Sequence, residues 1–393
     1  MERSAQTRIL FTDTALYTPR GVIQPGWLLV EDGVIRALGA GTPPQFEPAA
    51  QPRVVAAGGR ALLPGFIDLH VHGALGHEVM DASPDALAEM ARFYAAHGVT
   101  AFLATTWTAA RGDILAALAA VETAMHRPSG GAQILGAHLE GPYLNPDRCG
   151  AQDERLIRRA EPGEVLEFLE TGIVRQVALA PEFAENLWLT DECVRRGITV
   201  AAGHTAATFE EMQTAVQHGV RQVTHCFNAM TGLNHRQPGT VGAALALPEL
   251  GCELIADTIH VHPAVMRILA AAKSPQGVLL ITDAIRGVGL PDGEVKIDTR
   301  VVTIKNGEAR LPDGHLAGSV LTLERGLRNL MAASGWTLEQ AWPASSLNAA
   351  RSAGVAHRKG SLEVGKDADL VLLDADWRVN LTLVGGEVVY NLI

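Results

Sequence analysis

The sequence predicts an α/β protein: a (β/α)8 barrel of the TIM type, flanked by a small β-sandwich domain that both chain termini build. Three observations lead there. Between residues 61 and 349, eight short runs of Val, Ile, Leu and Ala alternate with amphipathic segments, and near-continuous apolar strands are those of a parallel barrel buried on both faces. The stretches 1–60 and 350–393 read instead as short strands and turns with too few apolar residues to fold alone. Finally, most of the eight runs end in a histidine or an acid, and in a parallel barrel those ends share one mouth.

Taken in order, the N-terminal stretch offers strands at Arg8–Phe11, Trp27–Glu31 and Val34–Ala37, with a turn at Glu31-Asp32-Gly33. The barrel strands are expected near Phe66–His72, Val99–Thr105, Gln133–Glu140, Val174–Ala180, Ile198–His204, Gln222–Phe227, Cys252–Asp257 and Val278–Asp283. Helices fall between them. One starts at the cap Ser83 with Pro84 in its first position, runs towards His97 and is closed by Gly98; Thr208–His218, closed by Gly219, and Pro263–Lys273 are others. At the C-terminus, Ala368–Leu373 is an apolar strand, and Leu381–Val384, Gly385-Gly386 and Glu387–Tyr390 form a hairpin.

Hydrophobic residues make up 47% of the 393 and charged residues 19%, enough for a large core and against general disorder. The formal net charge of −11 argues against non-specific binding to nucleic acid or anionic membrane, both of which need a positive field. An anionic small substrate stays possible, because a few local Arg and His residues reverse the field inside a cleft. No apolar h-region follows Met1–Arg8, and no apolar run reaches the roughly 20 residues of a bilayer span. Cys149, Cys193, Cys226 and Cys252 are widely spaced without a C-x-x-C pair, which fits idle, reduced thiols. The expected location is cytoplasmic.

The strand ends carry the chemistry. They read Asp68-Leu69-His70-Val71-His72, His138-Leu139-Glu140, Gly203-His204, Thr224-His225, Ala256-Asp257 and Thr282-Asp283. His70 and His72 lie two apart on a strand, so they share a face and can present two imidazole nitrogens to one metal at about 2.0–2.1 Å. With Glu140, His204, His225 and Asp283 on the same rim, a metal centre is the economical reading. Such donors suit zinc, or another first-row ion such as iron, better than Mg²⁺ or Ca²⁺. One or two divalent ions fit, with Glu140 the natural bridge. Asp283 is the candidate general base, taking the proton of an attacking water and returning it to a departing amine. Glu182, after the fourth strand, could face the mouth or serve as a structural salt bridge. His77, His97, His126, His218, His315 and His357 read as ordinary surface or packing residues; His235 and His262 flank candidate substrate loops.

The same segments carry a family resemblance. Pro64–Gly73, His138-Leu139-Glu140-Gly141-Pro142, Leu179–Glu182, Gly203-His204-Thr205, Thr224-His225-Cys226-Phe227-Asn228-Ala229-Met230, Ile255–Asp257, His260-Val261, Leu280–Ala284 and Leu316–Ser319 resemble the amidohydrolase superfamily. Within it they are similar to the N-acetylglucosamine-6-phosphate deacetylases. The resemblance implies ligation by Glu140, His204 and His225, with His70 and His72 available for a second ion. It also implies Asp283 as acid/base and hydrolysis of a sugar 2-acetamido group to acetate and free amine. Implied substrate contacts are Ala151, Gln152, Asn228, Ala229, Arg236, Asp257, His260, Leu316, Ala317 and Gly318. A phosphate would suit Arg236 and His260, since a guanidinium fork matches phosphate oxygens. The implied partner is an amino-sugar phosphate, and the implied assembly a homodimer with parts of the phosphate site near the subunit contact.

Three positions depart from the family pattern: Gln152 stands where His is usual, Gln237 where Glu is usual and Thr258 where Gly is usual. All three lie near the substrate rather than the metal. They leave open a sibling enzyme acting on another N-acetylhexosamine phosphate or a cyclic amide; a barrel used only as a scaffold is a third reading.

Overall fold

A computed structural model describes residues 8–48, 51–298 and 300–393. Eight parallel strands follow chain order around a barrel: Phe66–Val71, Val99–Thr106, Gln133–Glu140, Val174–Leu179, Thr199–Ala202, Gln222–Val223, Gly251–Ile255 and Val278–Ile281. The seam between the eighth strand and the first closes through a parallel bridge, Val71 to Ala284, and through the Asp283 N–H, which donates to the His70 carbonyl at 2.9 Å. Asp68 ties this seam from below. Its Oδ2 accepts from Thr282 Oγ1 at 2.7 Å, while Oδ1 accepts the Thr282 and His70 N–H groups at 3.3 and 3.2 Å. Asp68→Ala would strand those buried donors, so it is expected to cost about 3 kcal/mol of stability. Chemical unfolding checks this, and an unshifted midpoint would show that the seam closes without the carboxylate.

The helices form where caps and apolar spacing require. Ser83 Oγ accepts from the Ala86 N–H at the start of Pro84–Ala96, which buries Leu87, Met90, Ala91 and Tyr94 against the barrel. Thr208 and Glu211 form a reciprocal capping box for Phe209–His218, and Gly219 closes it at φ 113°. Pro263–Lys273 starts on His262, whose ring nitrogen caps it by accepting from the Ala264 N–H. That gives His262 a structural role.

Several barrel strands stop before the residues expected to end them. The fifth ends at Ala202 rather than His204, the sixth at Val223, and the eighth at Ile281 rather than Asp283. The reason is backbone conformation: His204, His225 and Asp283 have φ of 47°, 30° and 51°. A left-handed residue leaves the ladder, so each of these side chains stands just past the last paired residue and turns into the mouth. Such strained non-glycine positions concentrate at functional sites.

Both termini join one eight-stranded sheet. Its order is Glu387–Asn391, Val379–Val384, Leu370–Leu373, Ala61–Pro64, Arg8–Thr18, Gly21–Glu31 and Val34–Ala40, with Arg53–Ala56 beside Arg8–Thr18. Ala61–Pro64 belongs to this sheet, so the division drawn at residue 60 falls within its hydrogen-bonded path. The sheet curls until its edge meets the other end of the chain, where Ile35 N donates to Lys366 O and Ala368 N to Gly33 O, each at 2.8 Å. Gly33 is needed there: at φ 83°, a Cβ would approach Gly385 O to 2.8 Å. Phe11, Leu16, Leu28, Leu62, Leu370 and Leu381 fill the curl.

A three-stranded antiparallel sheet, Gly293–Ile297, Arg300–Lys305 and Glu308–Arg310, follows the eighth barrel strand. Its expected signature is weak, because alternating polar residues in strands this short resemble a loop. Val302, Ile304 and Ala317 pack under it against Trp107 and Ile285, which carries residues 310–318 over the barrel mouth.

Candidate metal centre and cleft

Glu140 stands at the focus of the mouth. Oε1 lies 3.0 Å from His225 Nε2, 3.3 Å from His204 Nε2 and 3.4 Å from His70 Nε2, while Oε2 lies 3.2 Å from His72 Nε2. The Nε2 atoms pair at 3.2 Å for His70 and His72, and at 3.1 Å for His204 and His225. Asp283 Oδ1 sits 3.5 Å from His70 Nε2 and 3.3 Å from His72 Nε2. Two donor triads result, His70–His72–Glu140 and Glu140–His204–His225, all buried and sharing one carboxylate.

This geometry fits metal ions. Four donors held about 2.1 Å from a tetrahedral ion stand about 3.4 Å from one another, close to the separations found. Imidazole nitrogens aimed at each other across such gaps repel unless a cation lies between them. The tautomers agree for two of the ligands. His204 Nδ1–H donates to Arg148 O at 2.8 Å, leaving its Nε2 lone pair free. Thr224 spends its single hydroxyl hydrogen on Glu253 Oε2 at 2.6 Å, so His70 Nδ1, 3.1 Å from Thr224 Oγ1, must donate to it. His70 Nε2 is therefore also a lone pair. His72 stacks on Trp107, with ring centroids 3.8 Å apart.

Burial pulls His70 down, yet the charges of Glu140 and Asp283 raise it well above its ordinary value. Burial pushes Glu140 up, but the charge of His70 and hydrogen bonds from His204 and His225 hold it well below the usual carboxylate range. Asp283 is likewise held low, against burial, by the charge of His70 and its contact with His72. A bound cation replaces the positive charge these carboxylates otherwise draw onto imidazoles.

Beneath the triads lies a polar network that the sequence did not disclose. Glu253, fully buried on the seventh strand, accepts from Thr224 and, at 2.6 Å, from Gln176 Nε2. His138 sits 3.5 Å from both Gln176 Nε2 and Thr105 Oγ1. Burial and the charge of His70 push His138 down to about 3, so it stays neutral.

The triads open into a cleft of about 580 Å³, a size suited to a small ligand. Ala151, Gln152, Asn228, Ala229, His260, Leu316 and Gly318 line it, with Glu140, His204, His225 and Asp283 at its floor. Gln152, expected near the substrate rather than the metal, also reaches the metal centre: its Oε1 accepts the Thr108 N–H at 2.7 Å, which turns Nε2 to donate to Glu140 Oε2 at 2.6 Å. Asp257 stands behind the cleft and holds His260 Nδ1 at 2.6 Å. Ala317 is fully buried and packs inward from the 310–318 segment, in one cluster with Trp107 and Ile285. Arg236 is exposed on the turn between Asn234 and Gln237 and does not line the cleft of this chain.

Further residues join the expected lining. His315, read as an ordinary surface residue, and Cys149, read as an idle thiol, both line the cleft, as do Arg148, Asp313 and Arg310. They come from loops, where no periodicity marks a side chain's direction. Glu182 makes no salt bridge among the described residues. It accepts from Asn145 Nδ2, Thr205 Oγ1 and the Ala206 N–H, fastening the loop after the third strand to that after the fifth.

Comparison with known proteins agrees with this architecture. The amidohydrolase family profile matches residues 61–389. The chain is 42% identical over 332 residues to the N-acetylglucosamine-6-phosphate deacetylase of Vibrio furnissii, covering 84% of this chain and 83% of that one. It is 37% identical over 374 residues to the N-acetylgalactosamine-6-phosphate deacetylase of Escherichia coli O157:H7, covering 95% and 97%. Among solved structures, a mutant N-acetyl-D-glucosamine-6-phosphate deacetylase from Mycobacterium smegmatis, in complex with N-acetyl-D-glucosamine-6-phosphate, superposes with a TM-score of 0.90 at 32% identity, covering 99% of this chain and 100% of that one. The chain belongs to the amidohydrolase family and, within it, groups with the N-acetylglucosamine-6-phosphate deacetylases.

Proposed function

We propose that this protein hydrolyses the 2-acetamido group of N-acetylglucosamine 6-phosphate, giving glucosamine 6-phosphate and acetate. The observation that carries the reading is the convergence of four imidazole Nε2 atoms and Asp283 on Glu140, at and just beneath the floor of one cleft, in a chain whose relatives are deacetylases of such sugars.

Glu140, His204 and His225 would hold one divalent ion, and His70, His72 and Glu140 a second. Zinc suits the compact nitrogen-rich donor set. A metal bound there supplies Lewis acidity towards the amide carbonyl and towards water. The protein's own part is proton handling and orientation. Asp283, an ionised carboxylate at neutral pH, takes one proton of the attacking water and delivers it to the amine nitrogen as the C–N bond breaks. Gln152 keeps Glu140 in place through one amide hydrogen and has a second to offer a substrate oxygen. His260, backed by Asp257, presents its other ring nitrogen to the cleft as a partner for a substrate oxygen or phosphate.

The test is acetate release from N-acetylglucosamine 6-phosphate by metal-replete protein. No release would overturn the reading. The galactosamine-type relative favours a second reading, the C4 epimer as substrate. A kcat/KM for N-acetylgalactosamine 6-phosphate above that for the glucosamine form would select it.

A cytoplasmic setting agrees with Cys226 and Cys252, which lie in contact as separate thiols. We further propose a homodimer. Its support is the position of Arg236, outside its own cleft yet the arginine that the resemblance assigns to phosphate near a subunit contact. Arg236→Ala is expected to raise KM for the phosphorylated sugar about tenfold or more, with little change for the unphosphorylated one. Equal changes for both sugars would remove Arg236 from phosphate recognition.

A further inference from the structure

We propose that a second cleft, which shares no lining residue with the metal centre, binds a nucleoside phosphate. It encloses about 620 Å³ between the C-terminal end of helix Pro84–Ala96, helix Leu323–Ser334 and the C-terminal strands. Arg325, Arg328 and Arg378 line it, and among the described residues none of them has a carboxylate within salt-bridge distance. On a chain of net charge −11, three guanidinium groups that form no salt bridge among the described residues surround one hollow and make a local positive field, with Arg378 also acting at longer range on Asp374. Among the described residues, Asp376 is the one acid of the lining without a salt bridge, because Glu324 pairs with His97 at 2.9 Å.

Two further features point to an organic anion rather than a simple ion. Trp377 and Tyr390, both part-buried, line the same hollow. Trp377 has φ of 66°, a costly conformation for so bulky a residue. Asp374 imposes it: Oδ1 accepts the Asp376 and Arg378 N–H groups at 2.9 Å each, and Oδ2 accepts Asn380 Nδ2 at 3.1 Å. The clamped loop sets an indole and a guanidinium on neighbouring positions of one wall. In addition, Glu324 Oε2 is buried without a hydrogen-bond partner among the described residues, although Oε1 receives both His97 and Thr322. An unsatisfied carboxylate oxygen in a cleft wall is suited to an N–H or O–H donor on a ligand.

Guanidinium groups for phosphates, an aromatic face for a planar base, and a free acceptor for a base amine or ribose hydroxyl form a nucleotide-recognition set. Binding here is non-covalent and leaves the metal cleft free.

The test is calorimetric titration of the metal-replete enzyme with magnesium-ADP, and separately with magnesium-pyrophosphate. Saturating glucosamine 6-phosphate occupies the metal cleft throughout. Saturable submillimolar binding of ADP is expected, about tenfold tighter than pyrophosphate because of base stacking. The exposed triple variant Arg325→Ala/Arg328→Ala/Arg378→Ala should weaken ADP binding at least about thirtyfold while basal deacetylation is unchanged. Glu324→Gln, which keeps shape but exchanges an acceptor for a donor, should weaken ADP and leave pyrophosphate unaffected. ADP binding that survives the triple variant, equal affinity for ADP and pyrophosphate, or no heat up to millimolar ADP would each overturn the proposal.

Discussion

Asp283→Asn is expected to lower kcat by about 10²–10⁴-fold, the range that general acid–base catalysis contributes, while the protein keeps its metal. The asparagine is isosteric, and the backbone bond from residue 283 to the His70 carbonyl does not depend on the side chain. Gly318 is close by, where a Cβ would meet Asp283 O at 2.8 Å, so the left-handed backbone at position 283 is fixed by packing as well. What changes is the proton. A carboxylate accepts hydrogen from water, whereas an amide cannot be protonated near neutrality and cannot return a proton to the amine. The direction of the Asp283 shift sets the pH dependence. Its carboxyl is held below the ordinary carboxylate value by the charge of His70 and contact with His72, so the base is ionised across the neutral range and its acid limb lies below that value. Steady-state kinetics with metal analysis on one preparation checks the claim. Wild-type turnover with full metal content would remove Asp283 from the reaction; lost metal together with lost turnover would make it chiefly a ligand.

How legible this centre was in the sequence depended on where each residue lies relative to a ladder. His70, His72 and Glu140 lie at the ends of apolar runs, and the period of two assigns their faces. His204, His225 and Asp283 were visible for the same reason, although each sits past the true strand end in a left-handed conformation. Caps and glycines made the helices legible, because Ser83, Thr208 and Gly219 act through local hydrogen bonds alone. Glu253 was not legible. An acid between Cys252 and Leu254, on a strand expected to be buried on both faces, carries no cue to its partners, and only closure of the barrel brings Thr224 and Gln176 beside it. Arg310 and His315 depend on the three-stranded insertion, and Cys149 on a loop, so no periodic signal aimed them at the cleft. Arg236 shows the reverse. Its type suited the chemistry, yet its place on an exposed turn could be known only from the fold.

Glu253 leads to the second large effect. Glu253→Ala is expected to cost the His70–His72–Glu140 triad its ion, so that of the two ions proposed above one is lost, while the Glu140–His204–His225 triad stays loaded. The carboxylate determines the direction of a proton chain: Thr224 donates to Glu253 at 2.6 Å, and His70 Nδ1 therefore donates to Thr224 at 3.1 Å. Remove the acceptor, and the Thr224 hydroxyl is free to donate to His70 Nδ1. The proton of His70 then moves to Nε2 and blocks the lone pair that faces the metal. Supporting contacts of this kind are worth about 10–100-fold in metal affinity. His204 is held separately, through Arg148 O, which is why the other triad should survive. Thr224→Val separates tautomer control from charge. It removes only the relaying hydroxyl and keeps the methyl packing against Gly203, leaving Glu253 Oε2 at 3.5 Å to accept from His70 Nδ1 directly. Its metal loss should therefore be smaller than that of Glu253→Ala. Metal stoichiometry after dialysis against a weak chelator distinguishes the outcomes. Two retained ions in Glu253→Ala would dismiss the proton chain, and loss of both would show that the two triads bind as a single cooperative unit through Glu140.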